Sequence, residues 1–425
     1  MTGPAIWSTA TTLAAPALRL MLRRRARRGK EMPSRLGERR GIDSGRRPAG
    51  RLLWLHAASV GESLSILPVL QALDRRCPEL QLLLTTGTVT SAVLMRDRLD
   101  AAGLGRVLHR FVPLDVPKWA ARFLDHWRPD AAAFVESELW PNLLAGCRAR
   151  RIPTMLVNAR LSGRSYRRWR YAPLLARTVL GSFDLIHAQS TEDADRLAAL
   201  GARCVLTPGN LKFAAPPLPA DTAALADIRA TLAGRPCWVA ASTHPGEEEI
   251  VVSAHRTLAA THPGLVSIIV PRHPARGAAI AAAPGLAVTR RGLGEPPPSE
   301  GLWIADTIGE LGLWYRLAAA ALIGRSLLPP GGGQNPLEPA WLGCPVAAGP
   351  FMDNFTDPVR VLEAAGALTR VRDAGDLADW VRTMLDDTTR REAAGAAGVR
   401  AAAGYGHLPD STAAALLDLL ARRRD

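Results

Sequence analysis

The stretch "LLWLHAA", residues 52–58, holds one polar side chain in seven and is followed by "SVGES", a turn of small and acidic residues. A strand with one wet face alternates apolar with polar, whereas a nearly continuous apolar run closed by such a turn reads as a parallel strand covered on both faces. The rhythm recurs in "LQLLLTT" (80–86), "AAAFVE" (131–136), "TMLVNA" (154–159), "LIHAQ" (185–189) and "CVLTPG" (204–209), between Ala/Leu/Arg-rich stretches of helical character. It restarts in "CWVAAS" (237–242), "LVSIIVP" (265–271), "LAVTR" (286–290), "LWIAD" (302–306), "AALIG" (320–324) and "PVAAG" (345–349). An α/β protein of two doubly wound, Rossmann-like domains follows, with ligands expected in a central cleft at the carboxyl ends of the strands. The break, "FAAPPLPADTA" (213–223), has three prolines and suits a semi-rigid linker. "GEPPPSEG" (294–301) lies between two strands and reads as a surface loop. The expected division is 1–48 an apolar and basic segment, 49–212 the first domain, 213–223 the linker and 224–425 the second. The last helix, "STAAALLDLLARRR" with Ser411 as cap, is free to pack back on the first domain.

With 425 residues and 48% apolar composition, two cores can be filled, which excludes a disordered or fibrous protein. Five cysteines without a C-x-x-C pair argue against a disulfide framework or zinc ribbon and read as reduced, mostly buried residues of a cytoplasmic protein. The formal charge of +14 is lopsided: Arg19 to Arg47 holds twelve basic residues against Glu31, Glu38 and Asp43. Before it runs the apolar "PAIWSTATTLAAPALRLML" (4–22), weak for a spanning helix because it contains Pro16, Arg19 and hydroxyls. The positives follow the apolar run, so it is no signal peptide. An apolar anchor with arginines behind it suits the cytoplasmic face of an anionic membrane, each basic residue contributing about 1 kcal/mol; a solvated basic arm is the alternative. Nucleic acid is disfavoured, because no aromatic residues interleave with the arginines for stacking.

The strand ends supply the candidate chemistry. Glu62 in "HAASVGES" is placed to act as a general base, or equally to sit as a first-turn acid favoured by the helix dipole. Glu136 and Glu138 in "VESELWPN" point to one side if extended, a like-charge pair commoner in sites than on plain surfaces, though a surface loop stays open. Lys212 of "GNLKF" is one of three lysines among fifty arginines, a compact point charge suited to a phosphate oxygen. In the second half, "ASTHPGEEE" places Ser242, Thr243 and His244 before Pro245 at a first helical position, and "VPRHP" ends a strand with Arg272 and His273. Thr307 with Glu310, and Asn335 with Glu338 in "GGGQNPLEPA" (331–340), fit the capping-box pattern. Glu338 is alternatively an acceptor for ribose hydroxyls, with glycines admitting the ligand and the helix N-terminus attracting phosphate.

Taken together, "RLGERRG", "HAASVGE", "ESELWPN", "NARLSGRS", "GNLKF", "STHPGEEE", "PRHP", "DTIGELGLWY" and "GGGQNPLEPA" resemble, in order and spacing, the 3-deoxy-D-manno-octulosonic acid (Kdo) transferases of lipopolysaccharide synthesis, from about Arg35 to Phe355. The resemblance implies a GT-B glycosyltransferase fold, CMP-Kdo as donor with no further cofactor, and a lipid A precursor as acceptor at the cytoplasmic face of the inner membrane. It implies Glu62 as the base, Glu136 and Lys212 as transition-state stabilisers, and CMP contacts at Pro271, Arg272, Ile308, Gly309, Glu310, Asn335, Pro336, Leu337 and Glu338. No residue cluster has metal-ligand spacing, so an inverting, metal-independent transfer is expected, with Arg272, Lys212 and helix N-termini offsetting the charge of the leaving phosphate. Departures from the family pattern fall at Gln334, where many relatives have His, at Arg325, where many have Gly, and at "GTVTSA" (87–92). The rival readings are a transferase using another nucleotide sugar, a nucleotide-sugar epimerase, and a non-catalytic membrane-surface protein that binds CMP-like ligands.

Overall fold

Every one of the apolar runs carries a strand, and every strand pair is parallel. The computed structural model describes residues 3–214, 217–282 and 285–422. They divide into two compact units, the described residues of Met1–Ala215 with His407–Asp425, and those of Pro216–Gly406.

Unit 1 contains β1 (Leu52–Ala57), β2 (Gln81–Thr86), β3 (Leu108–Phe111), β4 (Ala131–Val135), β5 (Thr154–Ala159), β6 (Leu185–Ala188) and β7 (Val205–Leu206), in the order β3-β2-β1-β4-β5-β6-β7. All of β1 is buried because helices cover both faces of the sheet, which is why its sequence does not alternate. Trp54 on β1 packs on Phe123 and Phe134 at ring-centroid distances of 4.8 and 5.1 Å, tilted rather than face to face as ring quadrupoles prefer. Unit 2 contains β8 (Cys237–Thr243), β9 (Val266–Pro271), β10 (Val288–Arg290), β11 (Gly301–Ile304), β12 (Ala321–Ile323), β13 (Val346–Ala348) and β14 (Leu368–Arg370), in the order β10-β11-β9-β8-β12-β13-β14. Strand order reverses between β1 and β4 and between β8 and β12, and in sheets of this kind the crevice at the reversal takes the ligand.

The strands β3 and β14 are absent from the sequence expectation. Both lie at sheet edges and read "LHRF" and "LTR", too short and polar for an apolar run; charge at an edge discourages pairing with other chains. The final helix is Leu408–Ala421, four residues earlier than a Ser411 cap implies; Pro409 lies in its first turn, and Ser411 lies inside. It packs on the helix Val60–Arg76 of unit 1, with Arg76 paired to Asp410 at 3.1 Å. Of the expected linker, Phe213 and Ala214 are buried in unit 1 and Leu218 packs on the core of unit 2; Ala215 and Pro216 lie outside the described residues.

The basic segment is not a detached arm. The helix Gly3–Arg27 lies on unit 1: Trp7 Nε1–H donates to Asp115 Oδ2 at 2.8 Å, and Thr11 Oγ1 accepts from Asn142 Nδ2 at 3.1 Å. Glu31 then accepts from both Arg25 and the buried Arg39, at 3.0 Å each, so two of the expected surface arginines form an internal ion-pair network. No helix among the described residues is long and apolar enough to cross a membrane.

Candidate active site

At the carboxyl end of β1 the chain turns through Ser59 into the helix Val60–Arg76. Ser59 caps it, its Oγ accepting the Glu62 N–H at 3.3 Å and donating to Glu62 Oε1 at 2.8 Å, while Glu62 Oε2 accepts the Ala58 N–H at 2.7 Å. The first-turn acid and the candidate base are thus one side chain, aimed by its cap. Burial pushes the Glu62 carboxyl above its ordinary value; the charges of Glu138 and Glu136 push the same way, and the bonds from Ser59 and Ala58 oppose them.

Glu136 and Glu138 do not lie extended side by side. Glu136 leaves β4 with φ +58°, a left-handed backbone that L-residues avoid and that recurs at functional sites. The bend separates the two acids, and each finds its own partner. Lys212 Nζ is 2.5 Å from Glu136 Oε1. Glu138 Oε2 meets His56 Nε2 at 3.0 Å and accepts the Trp140 Nε1–H at 2.6 Å. Burial alone would raise Glu138, but the bonds and charge of His56 and the bond from Trp140 hold its carboxyl below the ordinary value. Lys212 is positioned from behind: buried Asn158, also left-handed at φ +55°, accepts the Leu211 N–H at 2.9 Å, and Asn210 Oδ1 accepts the Lys212 N–H at 3.0 Å. Asn158, in a run that reads as plain strand, gave no sign of this role.

In unit 2 the ends of β8, β9 and β11 surround a cavity of about 410 Å³, lined by Ser242, Val270, Pro271, Arg272, His273, Thr307, Ile308, Gly309, Glu310, Gln334 and Glu338, among others. Six of the nine expected nucleotide contacts line it. Ile308, 88% exposed, is an apolar surface with no protein partner, suited to a flat ring. Pro336 and Leu337 are buried beneath, and Asn335 bonds the Leu337 N–H at 3.1 Å and the Glu338 side chain. Glu338 is pushed up to about 7, chiefly by burial, with Asn335 and then Arg272 opposing.

Three local expectations are corrected here. The helix after Asn335 is Leu337–Trp341, with Pro336 as cap residue; five residues carry too little dipole to be the phosphate site. The glycines 331–333 are buried and are not among the residues that line the cavity. All have positive φ, and Cβ atoms on them would strike Phe351 at 2.1 Å, Asn354 at 2.5 Å and Met352 at 2.2 Å, so their bare faces are used for packing. The helix after Thr307 starts at Leu311, and Thr307 donates to the Glu310 carboxylate rather than capping; with Arg291 also bonded at 3.0 Å, Glu310 is held below its ordinary value although burial opposes it.

The motif "STHPGEEE" proves to be a brace. Its helix begins at Glu247, after Gly246, not at Pro245. Buried Glu247 accepts four backbone N–H groups, from His244 (2.9 Å), Arg325 (2.7 Å), Ser326 (2.8 Å) and Leu327 (3.0 Å), tying the β8 turn to the β12 turn. Glu248 accepts from Thr243 Oγ1 at 2.8 Å and from Arg276 Nη1 and Nη2. Ser242, at φ +58°, lets the turn approach Gly324, where a Cβ would lie 2.3 Å from its carbonyl oxygen.

The family model described as 3-Deoxy-D-manno-octulosonic-acid transferase (kdotransferase) matches residues 32–215. A probable mitochondrial 3-deoxy-D-manno-octulosonic acid transferase of Arabidopsis thaliana is 36% identical over 388 residues, 88% of this chain and 86% of that protein. The chain belongs to the Kdo transferase family. The 3-deoxy-D-manno-octulosonic acid transferase of Bordetella pertussis is also 36% identical, over 92% of this chain and 93% of its own. Among solved structures, a glycosyltransferase from Rickettsia africae covers 88% of this chain and 99% of its own at TM-score 0.59 and 11% identity, a likeness of fold that agrees with the GT-B type. Gln334, where the family pattern often has His, lines the cavity; Arg325 is exposed and outside its lining.

Proposed function

We propose that this Kdo transferase moves Kdo from CMP-Kdo to a lipid A precursor in lipopolysaccharide biosynthesis, by an inverting, metal-independent displacement with Glu62 as general base. The observation that carries the reading is the state of the three acids in unit 1: Glu136 and Glu138 each face a nitrogen partner, while Glu62 faces only its cap and has raised basicity. An acceptor hydroxyl gives its proton to Glu62 as its oxygen bonds the anomeric carbon, and the bond to the CMP phosphate breaks. Unit 2 holds the nucleotide, with Arg272 toward the phosphate, Ile308 toward the base and Glu338 toward the ribose hydroxyls. The test is incubation of purified protein with CMP-Kdo and tetra-acylated lipid A precursor, with product read by mass. Transfer from a different nucleotide sugar, and none from CMP-Kdo, would overturn the donor assignment.

Glu338 gives a signed pH dependence. Below about pH 4.5 both folded and unfolded chains hold its proton, and between 4.5 and about 7 only the folded chain does. Stability therefore falls as pH rises through that window, by roughly 3 kcal/mol in all. Glu338→Gln is expected to remove this slope from the calorimetric stability profile. CMP affinity is expected to rise from pH 6 to 8 in the wild type, as the carboxylate able to accept ribose hydroxyls forms, and to stay flat and weaker in the variant. A variant that melts lower yet binds CMP normally would assign Glu338 to the fold alone.

For the acceptor we propose that the helix Gly3–Arg27 lies on the cytoplasmic leaflet of the inner membrane. Ile6, Leu13 and Leu20 recur every seven residues on one face, are 55%, 77% and 49% exposed, and are backed by the exposed Arg24 and Arg27. Leu13→Glu with Leu20→Glu is expected to reduce co-sedimentation with anionic phospholipid vesicles about tenfold or more, from the apolar area withdrawn. Unchanged sedimentation would move the contact elsewhere, such as the "SYRRWRY" stretch.

A further inference from the structure

His56 is wholly buried on β1, and its two ring nitrogens leave little freedom in where protons sit. Nδ1 lies 3.1 Å from the Thr85 carbonyl oxygen and 3.1 Å from Thr85 Oγ1. A carbonyl only accepts, and the Thr85 hydroxyl, whose oxygen already accepts the Trp54 Nε1–H at 2.8 Å, has the Leu55 carbonyl at 3.4 Å for its own proton. A lone pair on Nδ1 would face the Thr85 carbonyl oxygen at 3.1 Å, so the ring is satisfied with hydrogen on Nδ1. On the other side Nε2 stands 3.0 Å from Glu138 Oε2. A neutral ring with its hydrogen on Nδ1 has only a lone pair at Nε2, and an ionised carboxylate has only lone pairs; two acceptors at that distance repel. A second proton must lie between them, carried on Nε2 of the imidazole.

We propose that His56 is a positioning residue that shares this proton with Glu138, so that the pair has no net charge beside Glu62. This deepens the reading of Glu62 as base and rests on it. The surroundings agree. The ring meets Thr85 on β2, the edge of Phe134 on β4 and Trp140 beyond it, and among the described residues Glu138 is its one charged hydrogen-bond partner. The charged groups facing Glu62 are Glu138 and Glu136, and Lys212 pairs with the latter. With one acid matched by His56 and the other by Lys212, Glu62 is the carboxylate left to take a proton. The Trp140 N–H and His56 both engage Glu138 Oε2, which fixes the carboxyl plane and leaves Oε1 with no donor among the described residues, available to a substrate hydroxyl.

Two measurements test this. In protein with ¹⁵N-labelled imidazoles, the His56 resonances, assigned by their loss in His56→Gln, are expected to show hydrogen on both nitrogens at pH 7.5 and to revert to a single neutral tautomer in Glu138→Gln. This readout needs no substrate, so it stands even where the transfer assay fails and the catalytic reading with it. In steady-state kinetics, His56→Gln leaves Glu138 ionised beside Glu62. The acidic limb of the kcat/KM profile is then expected to move to higher pH, and the double variant His56→Gln/Glu138→Gln to return it to the position seen with Glu138→Gln alone. A neutral-tautomer spectrum in the wild type overturns the proposal. So does a His56→Gln variant that melts lower but keeps the wild-type pH profile, because core filling alone explains it.

Discussion

Glu62→Gln is expected to lower kcat by about 10²- to 10⁴-fold while CMP affinity stays within a factor of two, since a positioned general base contributes that much and the nucleotide contacts belong to the other unit. Glutamine keeps an oxygen to accept the Ala58 N–H, so the helix cap survives and melting should change by no more than about 1 kcal/mol equivalent. The loss is then separable from misfolding. Because burial raises Glu62, the wild-type kcat/KM should fall on acidification at a pH above the ordinary carboxylate range, and the limb should vanish in the variant. Undiminished turnover in Glu62→Gln would remove it as base, and Glu138, through its free oxygen, would be the next acid to test.

The largest structural effect is expected from Glu247→Gln. Four backbone N–H groups converge on two buried oxygens, in charge-assisted bonds worth about 1.5–3 kcal/mol each before non-additivity. The amide keeps one acceptor oxygen and turns its NH₂ against the donors formerly served by the other. A loss of about 3 kcal/mol follows, which for a unit of this size lowers its melting transition by roughly 6–12 °C. CMP affinity should fall with it, because the turns after β8 and β12 lose their common anchor. Glu249→Gln, in the same motif and exposed, should leave melting unchanged. Equal effects at the two positions would contradict the brace.

What sequence alone determined is the layered architecture and the chemical inventory. Parallel strands buried on both faces have to be apolar throughout, so each central strand announces itself, and two series with a proline-rich break yield two Rossmann-like units. Ordered motifs likewise pointed to the family and to Glu62, Glu136, Lys212, Arg272 and Glu338, because reactive and charge-stabilising side chains belong on the turns that follow such strands. Two of the four edge strands escaped, since "LHRF" and "LTR" are short and polar, and a strand that pairs on one side only is not bound by that composition. Tertiary structure alone decided the pairings: which acid meets Lys212, which meets His56, that Glu247 is a brace, and that the glycines 331–333 serve packing. A carboxylate's role depends on which donors reach it, and those donors come from residues up to 82 positions away whose spacing leaves no local trace. The physical reason is that composition is constrained wherever burial is uniform, whereas protonation and orientation follow from a handful of contacts about 3 Å long that exist only once the strands are in register.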